Sequence, residues 1–338
     1  MQSFGVLNYS GLLFNKGNTR TPFLSMIGGK TKYTNSVEFI LGQEFASEDG
    51  DIPSISETAS LTAPDPSYIT RSQNTNVTQI FQDAVAISYA KMSNMGTLSG
   101  ANLDNQEANP QNELDFQVGN KMRKLARAIE KTFIQGTYNK ATKDSEVNKT
   151  RGMNQAIVTN VISAETGTGS NKKNAPLDIW LVNDLVQKIR DNGGDISNLV
   201  LWLDTVSLNQ LNGSAVESGV EMGKAYESEY GIQVRDLLLP IGKVRTALGE
   251  FIPSGTAFAF NFDAISPVEQ PVPGKGNFFL EELAKTGAGE KYQLFGQIGL
   301  DYGNELLHGK ITGLSTTFTK PVGRKVVVSG SVETPTNG

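Results

Sequence analysis

The stretch from Asn112 to Gly136, NELDFQVGNKMRKLARAIEKTFIQG, does most to limit what this chain can become. Leu114, Val118, Met122, Leu125, Ile129 and Phe133 recur at steps of four and three. On an α-helix they form one apolar stripe that must be buried. Asn112 is placed to cap the amino end with Asp115 three residues on, and Glu113 and Asp115 suit the positive end of the helix dipole. Gly136 can end the helix in a left-handed conformation. About 24 helical residues span roughly 36 Å at 1.5 Å per residue, longer than most helices of compact enzymes. The fold is therefore expected to lie along this helix, with Leu125 and Ile129 against strands. Lys121, Lys124, Arg127 and Lys131 fall off the stripe and make a basic ridge, which by itself is what a solvated face looks like.

What surrounds the helix reads as sheet. Glycine contributes 35 of 338 residues and the hydrophobic content is 38%, which favours strands, turns and ordered loops over a helical bundle. Asn76 to Lys91 alternates as a long strand, with Val77, Phe81, Val85, Ile87 and Tyr89 on one face. Tyr292, Leu294, Ile298, Leu300 and Tyr302 alternate likewise, Gly303-Asn304 suits a hairpin turn, and Leu307, Ile311 and Leu314 supply a returning strand. Both late strands are expected to pair with the strand at 77–91. The region between them reads as an inserted α+β unit. It has a helix over Leu177 to Asn192, a buried central strand LVLWL at 199–203, a short helix at 205–211, and strands at 231–234, 244–248 and 257–265. Pro267, Pro271 and Pro273 mark its end.

The amino-terminal 1–31 is Gly-, Asn- and Thr-rich with isolated anchors Phe14, Phe23, Leu24 and Ile27, as an arm lying across another surface would be. After a strand at 37–45 comes a turn-rich excursion of the kind that is functional or disordered. Between Tyr33 and Thr70 stand Glu38, Glu44, Glu48, Asp49, Asp51, Glu57 and Asp65, with no Lys or Arg. The bland reading, which composition alone slightly favours, is a solvated loop; the sharper one is an arm docking on a basic surface elsewhere.

The chemistry that remains is limited. His308 is the one histidine and there is no cysteine, which excludes Ser-His-Asp and Cys-His triads, multi-histidine metal sites and disulfides. Gly29-Lys30-Thr31 has Leu24 where a P-loop needs glycine. Asp49-Gly50-Asp51 has Ser60 where an EF-hand wants a carboxylate. Glu281 and Glu282 are adjacent and point apart. No catalytic residue, cofactor or metal is expected. A net charge of -5 excludes a generally basic nucleic-acid binder. No apolar run approaches the ~20 residues that cross a bilayer, and the amino terminus lacks the basic start and apolar run of a secretory signal. The chain is expected to be made and kept in solution.

Several stretches carry a family resemblance: TPFLSMIGGKTKYTNSVEF, NVTQIFQDAVAISYAKMSNMG, NELDFQVGNKMRKLARAIEKTFIQGTYN with the following RGMNQAI, and NELLHGKITGL. In these, and in the order of arm, acidic excursion, strand, long helix, α+β insertion and return strands, the chain resembles the major capsid proteins of tailed double-stranded DNA bacteriophages, with the Hong Kong 97-like fold. The resemblance implies an arm at 1–31, an extended loop at 32–75, and a peripheral domain at 76–148 holding the long helix 112–136. It further implies an axial domain at 149–276, return strands at 277–318 and a tail at 319–338. It implies assembly with itself into hexamers and pentamers of an icosahedral shell, in the host cytoplasm, around DNA contacted without sequence specificity. Portal, scaffolding and decoration proteins are the further partners, the virion is the location, and no membrane is involved. Candidate inter-subunit contacts are Glu44, Glu48, Asp49, Asp51, Lys121, Lys124, Arg127, Lys131, Phe14, Phe23, Leu24 and Ile27. The lysine–asparagine crosslinking pair of some relatives has no match, so no crosslink is expected. The alternatives are an encapsulin-like cellular shell of the same fold and, from another class, a carboxylate-dependent hydrolase using Glu48 or Asp49.

Overall fold

The helix stripe is buried against a sheet assembled from distant parts of the chain. The computed structural model describes residues 21–45, 52, 54–63, 71–93, 113–166, 173–218, 226–227, 233–285 and 287–318. Its first part contains α1 (Pro22–Ile27), β1 (Lys32–Tyr33), β2 (Glu38–Phe45), β3 (Arg71–Val77), β4 (Gln79–Ser88), α2 (Tyr89–Ser93), α3 (Glu113–Gln135) and α4 (Met153–Ala156). The middle holds β5 (Val161–Ser163), α5 (Ile179–Asp191), β6 (Leu199–Leu203), α6 (Thr205–Glu217), β7 (Tyr226–Glu227), β8 (Gln233–Leu239), β9 (Gly242–Leu248) and β10 (Ala257–Asn261). Then come β11 (Ser266–Glu269), β12 (Phe279–Leu283), β13 (Gly289–Asp301) and β14 (Gly309–Thr312).

β13 organises the first sheet. Along one side it pairs antiparallel with β4, from Gly289 opposite Ser88 to Ile298 opposite Gln79. Its other side is shared by β12 and β11, with β1 parallel to β11 at the edge. On this sheet lies α3. Val118, Met122, Leu125, Ile129 and Phe133 are all buried, in one core with Phe81, Val85, Ile87, Leu294 and Ile298. Ala126 and Ile134 widen the stripe. The end of α3 has a different cause from the one its sequence suggests. Gly136 is not among the residues of positive φ. Instead, a β-carbon there would lie 2.4 Å from the Thr132 carbonyl oxygen and 2.7 Å from that of Thr150. The Gly152 N–H donates to the Gly136 carbonyl at 2.9 Å, so the helix stops where two backbones touch and only glycine leaves room. Asn112, the expected cap, lies outside the described residues.

The second sheet has the order β5-β14-β10-β6-β9-β8-β7, which puts LVLWL in the middle as its apolar run requires. Its side chains alternate between two cores. Val200 and Trp202 join the core under α3, while Leu199, Leu201 and Leu203 join the one under α5 and α6. Asp178 and Asp204 cap those helices, accepting from the N–H of Leu181 at 2.7 Å and of Ser207 at 2.8 Å. α6 runs to Glu217, past the expected 211, because burial of Ala215 and a bond from the Ile179 N–H to Ser214 Oγ outweigh the poor helix formers Asn212 and Gly213.

Three strand expectations are corrected. Gly303-Asn304 does not fold β14 back on β13. Asn304 Oδ1 instead accepts from the Leu306 N–H to open a 3-10 turn, and β14 enters the second sheet between β5 and β10. The single strand expected over 76–91 is broken at Thr78, whose N–H donates to the Val37 carbonyl, so that Val77 ends β3, and Tyr89 begins α2. Pro267, read as a boundary, sits within β11 opposite Leu300.

Candidate inter-subunit surface

The basic ridge of α3 does two things. Lys121 and Lys124, one turn apart, both reach down to Asp83 on β4, each at 2.8 Å. Burial alone would raise the Asp83 carboxyl, but the hydrogen bonds from Lys121, Lys124 and the Ala84 N–H outweigh it and hold the group at about 2. These two lysines therefore clamp the helix to its own sheet. Because both lysines keep contact with water, Asp83→Asn is expected to cost about 1 kcal/mol, measured by urea unfolding above pH 5. That contribution is present above the free carboxyl range, near 3.9, and is lost as pH falls through about 2.

Further along, Lys124, Arg127 and Lys131 line an open cleft of about 460 Å³ together with Ala128, Glu250 and Phe251. Phe251 adopts a φ of 56°, rare for a non-glycine residue. Its carbonyl accepts a 2.5 Å bond from Gln135 Nε2, which ties the turn to the end of α3.

The acidic excursion leaves on a two-stranded ribbon, β2 with β3, irregular between Ile40 and Gln43. Glu38 at its base pairs with Lys140 of the same chain at 2.5 Å. Glu44 lies in β2 opposite Ser72, and Glu48, Asp49 and Asp51 lie outside the described residues. Sequence reading missed the apolar residues of this excursion. Ile52, Ile55 and Leu61 are 92%, 70% and 85% exposed, yet they sit in a polar stretch without period, where only their cost in water would single them out.

The arm anchors are corrected. Phe23, Leu24 and Ile27 have no exposed surface and fill their own subunit's core. Phe23 meets Trp202, Phe260 and Phe262 at ring separations of 6.1, 5.7 and 5.5 Å, so α1 plugs the junction of the two sheets. Phe14 lies outside the described residues.

Other candidates are engaged in structure. Lys30, from the P-loop-like triplet, bonds the Phe262 carbonyl and pairs with Asp263 at 3.0 Å. Glu281 pairs with Lys275 and Glu282 with Lys285. His308 is fully buried; its Nδ1 accepts from the Asn261 N–H at 3.2 Å and its Nε2 donates to the Tyr302 carbonyl at 2.8 Å, which fits the neutral ring. Among the described residues, no three His, Asp or Glu side chains gather as a metal site, and no helix is long and apolar enough to cross a membrane.

The sequence model of the SU10 major capsid protein family matches residues 1–315. No curated protein sequence matches the chain. Among solved structures, the capsid of cyanophage A-1(L) aligns at 11% identity with a TM-score of 0.58, over 88% of this chain and 93% of that one. The encapsulin of the holo-SrpI complex from Synechococcus elongatus PCC 7942 aligns at 10% identity with a TM-score of 0.56, over 90% and 91%. The capsid of a native GTA particle gives 12%, 0.52, 93% and 95%. At such identities the structural likeness carries the fold, which is that of Hong Kong 97-like phage capsids, and the family match carries the rest. The chain belongs to the SU10 major capsid protein family and is a phage major capsid protein.

Proposed function

We propose that this subunit closes, as hexamers and pentamers, into an icosahedral head around double-stranded DNA, assembling in the host cytoplasm and catalysing nothing. Portal, scaffolding and decoration proteins complete the partner set, and contact with DNA is non-specific. The division into arm (1–31), extended loop (32–75), peripheral (76–148 and most of 277–318) and axial (149–276) parts is retained, with β11 joining the first sheet and β14 the second.

One pair of surfaces supports the inter-subunit part of this reading. The ribbon excursion exposes Ile52, Ile55 and Leu61 among carboxylates, and the α3 cleft offers Arg127, Lys131 and Lys124 around the Phe251 turn. We assign the first to the second across a subunit boundary, with Glu44, Glu48, Asp49 and Asp51 as the acidic side. Exposed ion pairs contribute ~0–1 kcal/mol each and are screened beyond about 10 Å at 0.1 M salt, so they set register between subunits more than subunit stability.

The test reverses Arg127 and Lys131 to Glu, which leaves the Asp83 clamp intact. Assembly at low ionic strength, followed by light scattering and electron microscopy, is expected to fall at least tenfold, and Glu48→Lys with Asp49→Lys to restore it. Unchanged assembly of the reversed protein would end the pairing.

The encapsulin likeness motivates a second reading, a cellular shell around an enzyme. Particles purified with genome-length DNA support the phage head; particles holding a folded enzyme sink it.

A further inference from the structure

Glu130 has no exposed surface, and it sits on the buried side of a helix whose other core positions are apolar. Its partner is not a cation. The carboxyl accepts from the backbone N–H groups of Phe23 and Leu24, the latter at 3.2 Å to Oε2, while Oε1 is buried without a partner. These donors are the first ones α1 has. Pro22 opens that helix and carries no N–H, and the side chain of Thr21 makes no capping bond. The amino end of α1 is thus capped by a residue on α3, across 106 positions of sequence.

We propose that Glu130 is a proton-operated clasp between α3 and the amino-terminal segment: neutral, it keeps residues 21–27 docked, and ionised, it loosens them. The surroundings favour the neutral form. Residues 21–27 carry no ionisable side chain, nor does α4, the other short helix against α3. Asp83 on β4 is already held by Lys121 and Lys124. Glu250, from the turn after β9, adds like charge, and Arg127 and Lys131 on the same helix line the open cleft. Burial first, and Glu250 in addition, raise the carboxyl to about 8 against the pull of the two backbone N–H groups. A released Glu130 would titrate near 4.3. The docked state binds the proton more tightly, so docking is strongest in acid, weakens by up to about tenfold per pH unit above ~4.3, and levels off above about 8.

Amide hydrogen exchange on the full chain from pH 5 to 8, corrected for intrinsic rates, tests this. Protection of residues 23–27 in the wild type should fall with pH by up to tenfold per unit, and more steeply than that of β6 amides, which follow opening of the whole subunit. Glu130→Gln, which retains an acceptor but no titration, should flatten the dependence. A flat wild-type profile, or the same slope in Glu130→Gln, would overturn the proposal. Should that variant not fold, the wild-type carboxyl is read directly by carbon-13 NMR. A neutral Glu130 at pH 6 supports the clasp, and an ionised one refutes it.

Discussion

Truncating Phe23 to alanine is expected to destabilise the subunit by about 3–5 kcal/mol, the range for removing a large buried aromatic. The ring is wholly inside and meets Trp202, Phe260 and Phe262, so its loss opens a cavity where two sheets and α1 converge. Neighbouring Leu24 and Ile27 are equally buried, and they cannot close the gap without moving the short helix that carries all three. Chemical unfolding of capsid-free subunits measures the effect. A loss below 1 kcal/mol with assembly alone impaired would return Phe23 to the role of an anchor on a neighbour.

The second large effect depends on pH. Burial holds the His308 ring down at about 4, against about 6.5 when free, and its two hydrogen bonds fit the neutral form. Between these values the unfolded chain takes up a proton that the folded one refuses. The contribution of the neutral ring to stability is therefore complete above about 6.5 and falls as pH drops towards about 4, by roughly 3 kcal/mol in all at 1.36 kcal/mol per unit. Glu130 and Glu269, whose carboxyls burial raises to about 8 and about 7, act in the opposite direction. The measurement is thus a difference, unfolding free energy of wild type minus His308→Gln across pH 4 to 7. It should slope, and a level difference would mean that the ring is protonated in place.

Legibility in the sequence followed the range of the forces. The stripe of α3, the helix over 179–191 and the doubly buried LVLWL strand rest on local period, and the structure has each of them. Pairing of β13 with β4 was legible too, since alternation on both strands offered two half-apolar faces. β14 was not. A Gly-Asn pair between alternating runs is a sound hairpin signal, but here burial of Ile311 and Leu314 in the second core decides which sheet the strand joins. Phe23, Leu24 and Ile27 were recognised as anchors, yet nothing near them in sequence distinguishes a neighbour's surface from a pocket formed by residues beyond 200. The Asp83 clamp and the burial of Glu130 are likewise contacts between elements, and composition shows their charges without their partners.

The α1 plug also orders events in time. Phe23 leaves the ribosome long before Trp202, Phe260 and Phe262 exist, and β1 and β4 likewise wait for β11 and β13. At about 5–20 residues per second, the interval from position 23 to position 262 is about 12–50 s. Throughout it β4 lacks its partner strand, and α3, once made, has only the face of β4 to cover its stripe until β13 follows; non-local pairing of this kind folds slowly even once the chain is complete. Completion of the first sheet therefore waits until translation has passed β13, and a chain cut short before it lacks the strand on which β4, β11 and β12 all pair.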